Sequence, residues 1–137
     1  MGRRLVDYVI AAFATPGYLD AHPDLVATQG AGAHWISWGE DDDWIADTPL
    51  PRARPRHSLP EVFMQTGAAV AGLGMAWVPA FLADPIPELV RVPGVPTGPG
   101  RGVWVLLHGD LRRTARVRAF VDFISDWVVA RRALFTV

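Results

Sequence analysis

The sequence predicts an α/β domain with a largely parallel sheet and a C-terminal helix. Three observations lead there. Short runs rich in Val, Ile and aromatic residues alternate with segments of helical spacing. Glycine and proline mark the junctions, as at Thr15-Pro16-Gly17 and Gly72-Leu73-Gly74. The chain closes on one more strand and an amphipathic stretch after Thr114.

Taken in order, Leu5 to Phe13 reads as a buried strand. It stops at Thr15-Pro16-Gly17, where Thr15 caps a short helix with Pro16 in its first position. His22-Pro23 ends that helix. Trp35 to Trp38 is a second short strand, broken by the acidic loop Gly39 to Asp43, and Trp44-Ile45 resumes an extended path. Arg52 to Ser58 is a third strand, confined to an edge by Pro55. Ser58 is then expected to cap the clearest helix, with Glu61 three residues on as in a capping box. Its apolar face is read as Leu59, Val62, Phe63, Thr66, Val70 and Leu73, and Gly72 ends it. Gly74 to Pro79 is a buried strand, Ala80 to Ala83 a helical turn, and Leu89 to Val92 an extended piece. Pro93 to Gly102 alternates Pro and Gly and is expected to be a loop or crossover. Val103 to Leu107 is the last strand. The final helix carries a stripe of Val117, Phe120, Val121, Ile124, Trp127 and Val128.

At 137 residues the chain fits one domain or one large lobe. Half of it is hydrophobic and a fifth charged, so it is not a disordered composition. With no cysteine, disulfides and thiolate metal sites are excluded. A formal net charge of −1 argues against a free-standing nucleic-acid binder, despite basic clusters at Arg52, Arg54 and Arg56 and at Arg112 to Arg118. Met1-Gly2-Arg3-Arg4 before an apolar run has the outline of a secretory signal, but Asp7 interrupts it. A cytoplasmic protein without a membrane partner is expected, since no run approaches the ~20 apolar residues of a span.

Few residues point to chemistry. Asp41-Asp42-Asp43 lacks the glycine and terminal Glu of a calcium loop and reads as a solvated turn. The four histidines, at 22, 34, 57 and 108, have no metal-ligand spacing. No nucleophile elbow or nucleophile–base pairing appears, so no enzyme and no cofactor are expected. Ser58 is either a plain cap or the start of an anion site at a helix N-terminus, with His57 beside it. Thr15 and Pro16 end a strand, where α/β sheets gather ligands. Trp35 and Trp38 read as core or as an aromatic wall.

The order of motifs then adds a resemblance. Tyr8 to Leu19, with Ala14-Thr15-Pro16-Gly17-Tyr18-Leu19, resembles a strand and turn of LysR-type transcriptional regulators. His34 to Trp38 is similar to the next strand. Gln65 to Pro79, with Ala71-Gly72-Leu73-Gly74-Met75-Ala76, is similar to that family's helix-to-strand segment, and Leu89 to Val92 to the strand after it. Val103 to His108 followed by Arg116-Val117-Arg118-Ala119-Phe120-Val121-Asp122-Phe123 resembles its closing strand and helix.

The resemblance implies a Rossmann-like lobe of the periplasmic-binding-protein type, from the effector-binding domain. Residues 14–102 would be the second lobe, and 1–13 and 103–137 the crossover strands and terminal helix belonging to the first. The rest of the first lobe and the winged helix-turn-helix that contacts DNA would lie outside this chain. It implies a small anionic or polar effector in an interlobe cleft, touched by Thr15, Pro16, Trp38, Ser58 and Leu59. A homo-oligomer is expected through the helix bearing Val117, Phe120, Val121, Ile124 and Val128, since leaving five such side chains wet would forfeit about 5–10 kcal/mol. Two other readings are an assembly fragment that senses nothing and a secreted solute-binding protein.

Overall fold

The structure is a computed structural model and describes residues 2–137. Among the described residues six strands and five helices follow one another. They are β1 (Gly2–Ala14), α1 (Pro16–Asp20), β2 (His34–Ile36), β3 (Arg54–Arg56), α2 (Val62–Val70), β4 (Ala76–Pro79), α3 (Ala80–Ala83), β5 (Val90–Arg91), β6 (Gly98–Leu106), α4 (Ala115–Ala130) and α5 (Ala133–Thr136). Two 3-10 turns, Asp43–Asp47 and Gly109–Arg113, lie between them. The chain forms two compact units. One is Ile10–Gly98; the other joins the segment ending at Val9 to Pro99–Val137.

In the Ile10–Gly98 unit, β1 lies between β4 and β5. It runs antiparallel to both, with Ile10 opposite Pro79, Phe13 opposite Ala76, and Ala14 opposite Val90. β2 and β3 form a parallel pair of strands, with His34 opposite Arg54 and Ile36 opposite Arg56. The expectation of a mostly parallel sheet is therefore corrected to a mixed one. Alternation of strands and helices counts elements but not directions. A strand shared with another unit stands outside the strand–helix–strand repeat and is free to run against its neighbours.

β1 explains its own position. Ala11, Ala12, Phe13 and Ala14 are all buried, as a strand covered on both faces requires. Three of them are alanine, which leaves room for large neighbours. On one face Ala12 and Ala14 join Trp35, Leu25, Ile45, Leu50, Met75 and Val92 in the main core. Helix α2 packs against β4 and β2. The row it buries is Gln65, Thr66, Ala68 and Ala69, while Phe63, Met64 and Val70 remain exposed. The expected apolar face of this helix is thus only partly covered: Thr66 is buried, but Phe63, Val70 and Leu73 are exposed. Small residues let the helix lie close to the sheet, and bulk was mistaken for burial.

The start of α2 also moves. Ser58 does not cap it. Glu61 does, its carboxylate accepting from Phe63 N–H (3.0 Å) and Met64 N–H (3.3 Å). Pro60 disfavours helical geometry at Leu59, so Ser58 and Leu59 stay outside the helix and Leu59 N–H bonds the Ser37 carbonyl at 2.9 Å. The far end has Ala71 as its cap and Gly72 at φ 76°, with Gly72 N–H on the Ala69 carbonyl and Leu73 N–H on that of Ala68. Two further segments differ from expectation. Trp44-Ile45 coils into the 3-10 turn because Ile45 N–H reaches the Asp42 carbonyl (3.0 Å) and Trp44 stacks on Trp38. And β6 begins at Gly98, inside the stretch read as a loop. The small residues there are needed for close approach: a Cβ on Gly98 would fall 2.7 Å from the Trp77 ring.

In the other unit β6 pairs with β1. Thr114 stands at the N-cap of α4 but makes no side-chain cap bond. The helix buries Val121, Ser125 and Val128, with Val117 and Ile124 half-buried. Phe120 instead points out, 61% exposed, so the covered stripe is rotated from the predicted one. No helix among the described residues is long and apolar enough to cross a membrane.

Candidate functional site

The strand directions sort the predicted site residues into two groups. Ile36 N–H bonds the Met75 carbonyl (2.8 Å) and Met75 N–H the His34 carbonyl (2.9 Å), so β2 runs parallel into β4. With β3 parallel to β2, all three strands point the same way and β1 points back. Their C-terminal ends, at Ser37-Trp38, His57-Ser58-Leu59 and Pro79-Ala80, therefore gather at the sheet end where β1 enters the unit at Ile10. Trp38, Ser58 and Leu59 are brought together there. Thr15 and Pro16 lie at the opposite end, where Thr15 Oγ1 accepts from Tyr18 N–H (3.1 Å) and caps α1.

Two residues missed in the sequence hold the first group in place. Ser37, 3% exposed, has its hydroxyl 2.7 Å from an Asp42 carboxylate oxygen and 2.9 Å from the Gly39 carbonyl, and accepts from Gly39 N–H. It ties the acidic loop to the end of β2. Buried Gln65 donates from Nε2 to the Leu59 carbonyl at 2.7 Å. Leu59 is thus fixed through both its N–H and its carbonyl. The available signal was a glutamine in the buried row of α2, one step from the row that was chosen.

Trp38 stacks on Trp44, ring centroids 4.8 Å apart and planes within 5°. Trp44 meets Trp35 edge-on at 5.3 Å, and Trp35 meets Trp77 at 6.1 Å. One face of Trp38 is therefore taken by the core, and the buried indole N–H groups of Trp38 and Trp44 have no hydrogen-bond partner among the described residues. A stacked indole still offers an edge to a ligand. At the start of α2 the helix dipole favours negative charge, and Glu61 already supplies it. An anion docking there would compete with that carboxylate.

At the opposite sheet end the polar groups centre on Tyr18. Its hydroxyl accepts from His34 N–H at 2.8 Å, and its ring stacks on His22 at 4.3 Å. Burial raises the Tyr18 pKa, opposed by the His34 bond. Burial lowers the pKa of His34, helped by repulsion from Arg56, His22, His57 and Arg54. Among the described residues no cluster of three or more His, Asp or Glu is placed to hold a metal.

The LysR substrate binding domain family matches residues 2–128. A search of curated proteins finds no match. Among solved structures the chain is similar to the regulatory domain of CrgA, a LysR-type transcriptional regulator from Neisseria meningitidis. They share 20% identity over 92% of this chain and 67% of that one, with a TM-score of 0.68. It is similar to the C-terminal domains of a LysR family protein from Agrobacterium tumefaciens, at 23% identity, 93% and 67% coverage and a TM-score of 0.66. Full-length LysG from Corynebacterium glutamicum with bound effector Arg gives 21% identity, 95% and 46% coverage and a TM-score of 0.57. The chain thus spans about two thirds of the isolated regulatory domains and under half of the full-length regulator.

Proposed function

Because the chain belongs to the LysR substrate-binding domain family, we propose that it is part of the effector-sensing region of a transcriptional regulator. In that reading the Ile10–Gly98 unit is the second lobe, and β1, β6 and α4 supply crossover strands and a helix of the first. The effector is a small anionic or polar molecule. One observation carries the assignment of its place: the C-terminal ends of β2, β3 and β4 converge at Trp38, Ser58 and Leu59, where open α/β sheets bind ligands. Thr15 and Pro16 then serve as the turn and cap of α1 and not as effector contacts. LysG has Arg as its bound effector; here the exposed Glu61 carboxylate favours a ligand that brings a donor alongside its anion, as an amino acid does.

Transcriptional control would follow from the effector's differential affinity for two arrangements of the regulator. DNA contact would belong to a winged helix-turn-helix of the whole protein. No catalytic step is assigned. The test is thermal unfolding of the 137-residue chain against amino acids, aromatic acids and dicarboxylates. A ligand at a hundred times its dissociation constant adds about 2.7 kcal/mol of stability. Glu61→Ala should change the preference among zwitterions and plain acids. A panel that leaves the unfolding temperature unmoved overturns the sensor reading.

A second reading, assembly through the other unit, is favoured by its exposed apolar side chains. Phe120 is 61% exposed, Phe123 65% and Leu106 77%. Light scattering that finds only monomer at high concentration removes it.

A further inference from the structure

We propose that the outer side of α4 is a self-complementary docking surface, on which a second copy of this chain lies antiparallel about a two-fold axis between Val121 and Asp122. This rests on the assembly reading above and gives it a partner and a geometry. The spacing along the helix builds the surface. Val117, Val121, Ile124 and Val128 follow one another in steps of four and three, and this stripe is buried or half-buried. A second stripe runs in the same steps through Arg116, Phe120, Phe123, Trp127 and Ala130. It lies about a third of a turn round the helix from the first, at about 100° a residue. All five of its residues are exposed. One helix thus carries two seams of coiled-coil period, the inner one covered and the outer one bare. Leu134, exposed on α5, is the next residue of the outer series.

Charge and area select a second copy as the occupant. The exposed side of α4 begins basic, with Arg116 and Arg118, and turns acidic at Asp122 and Asp126. In a parallel pair like charges would face one another and the helix dipoles would align. In the antiparallel pair Phe120 lies opposite the partner's Phe123, and Arg116 comes beside the partner's Asp126 and the partner's Trp127. The same contacts recur across the axis, as a closed two-fold interface requires. Arg131 already lies over the Trp127 ring, 4.5 Å from its centroid, and leaves the opposite face for the incoming guanidinium. Phe120, Phe123 and Trp127 are 61%, 65% and 38% exposed. Whole aromatic side chains present about 200–250 Å² each, so these three leave about 350 Å² open per copy. Two copies close about 700 Å², over half of the ~1,200 Å² at which stable interfaces begin. Leu134 and the charged rim extend it toward that bound. An interface at the bound is reversible, so the dimer should exchange with monomer in the micromolar range.

The experiment is sedimentation velocity of the full chain across the micromolar range, with circular dichroism to show that each variant keeps its helices. The expected result is a monomer–dimer equilibrium that shifts with concentration. Phe123→Ser should weaken the dimer about a hundredfold, since the ring is lost from both copies. Arg116→Asp and Asp126→Arg should each weaken it about tenfold, each acting twice across the axis. Combining them should return the dimer toward the parent, because the exchanged charges meet opposites again only in the antiparallel pair. Phe63→Ser removes a comparably exposed ring from the other unit and should change nothing. Monomer at every concentration overturns the proposal together with the assembly reading, and leaves this face to a different polypeptide. A dimer that survives Phe123→Ser, or one that the combined charge exchange fails to restore, overturns the α4 pairing while assembly through another surface stands.

Discussion

Replacing Gly74 with alanine tests the strand arrangement that gathers the candidate site. A Cβ at Gly74 would lie 2.9 Å from the His34 carbonyl oxygen and 3.5 Å from Ile36 Cγ1. That oxygen belongs to the backbone and already accepts Met75 N–H at 2.9 Å, the bond that joins β2 to the start of β4. A flexible side chain cannot move aside here. Either the alanine is accommodated with strain of about 1–3 kcal/mol, or β2 retreats and the bond weakens, at about 1 kcal/mol. We expect Gly74→Ala to cost about 2–3 kcal/mol on these figures. Two neighbours serve as controls. Gly67 lies inside α2 with nothing within 4 Å of an added Cβ, so Gly67→Ala should stabilise by about 0.5–1 kcal/mol. Gly72 also has open space, but at φ 76° an alanine should cost about 1–2 kcal/mol from backbone strain alone. The assay is urea unfolding followed by tryptophan fluorescence, comparing midpoints at unchanged slope. A Gly74→Ala variant within about 0.5 kcal/mol of the parent, the range of inert surface changes, would refute the β2–β4 contact and the site built on it.

Thr15→Ala removes the bond from Tyr18 N–H to Thr15 Oγ1 (3.1 Å) and should cost about 1 kcal/mol in the same assay, while Thr15→Ser keeps most of it. An unchanged midpoint would show that α1 needs no cap. His34 should make stability fall with acid. Burial and its cationic neighbours lower its pKa from 6.5, so below that pH the unfolded chain takes up the proton first. The contribution is complete above 6.5 and is lost as pH falls toward the folded-state value. Urea midpoints measured from about pH 7.5 to about pH 5.5, spanning the ordinary histidine range, should show a drop that His34→Gln flattens; equal slopes in both proteins would contradict it. Asp122→Asn breaks an exposed pair with Arg3, 3.5 Å apart with side chains 73% and 56% exposed, and should shift stability by less than about 0.5 kcal/mol. A larger loss would mean that this pair pins α4 to β1.

The converging strand ends and the residues that anchor them register differently in a sequence. Trp38, Ser58 and Leu59 are read as a site from a strand end and an expected helix start; the strand end stands, but α2 begins only at Val62, with Glu61 as its cap. Their two anchors were not legible, since Ser37 and Gln65 hydrogen-bond to carbonyl, amide and carboxylate groups brought near only by folding. The Tyr18–His34 pair joins residues 16 apart, across a loop whose path no local pattern fixes.

By itself the sequence determined the family, the alternation of strands and helices, the cap at Thr15 and the edge position of β3. The family rests on the order of its motifs, and the others on local rules: side-chain period, proline geometry and capping. Tertiary structure decided the direction of β1, the buried face of α2 and the rotated stripe of α4. Hydrophobicity marks residues able to be buried, but only the space left by partner elements selects which are. So Ala68 and Ala69 lie buried while Phe63 stays 69% exposed. The same antiparallel β1 that periodicity could not orient is what parts Thr15 from Ser58, and with it one predicted site into two ends of a sheet.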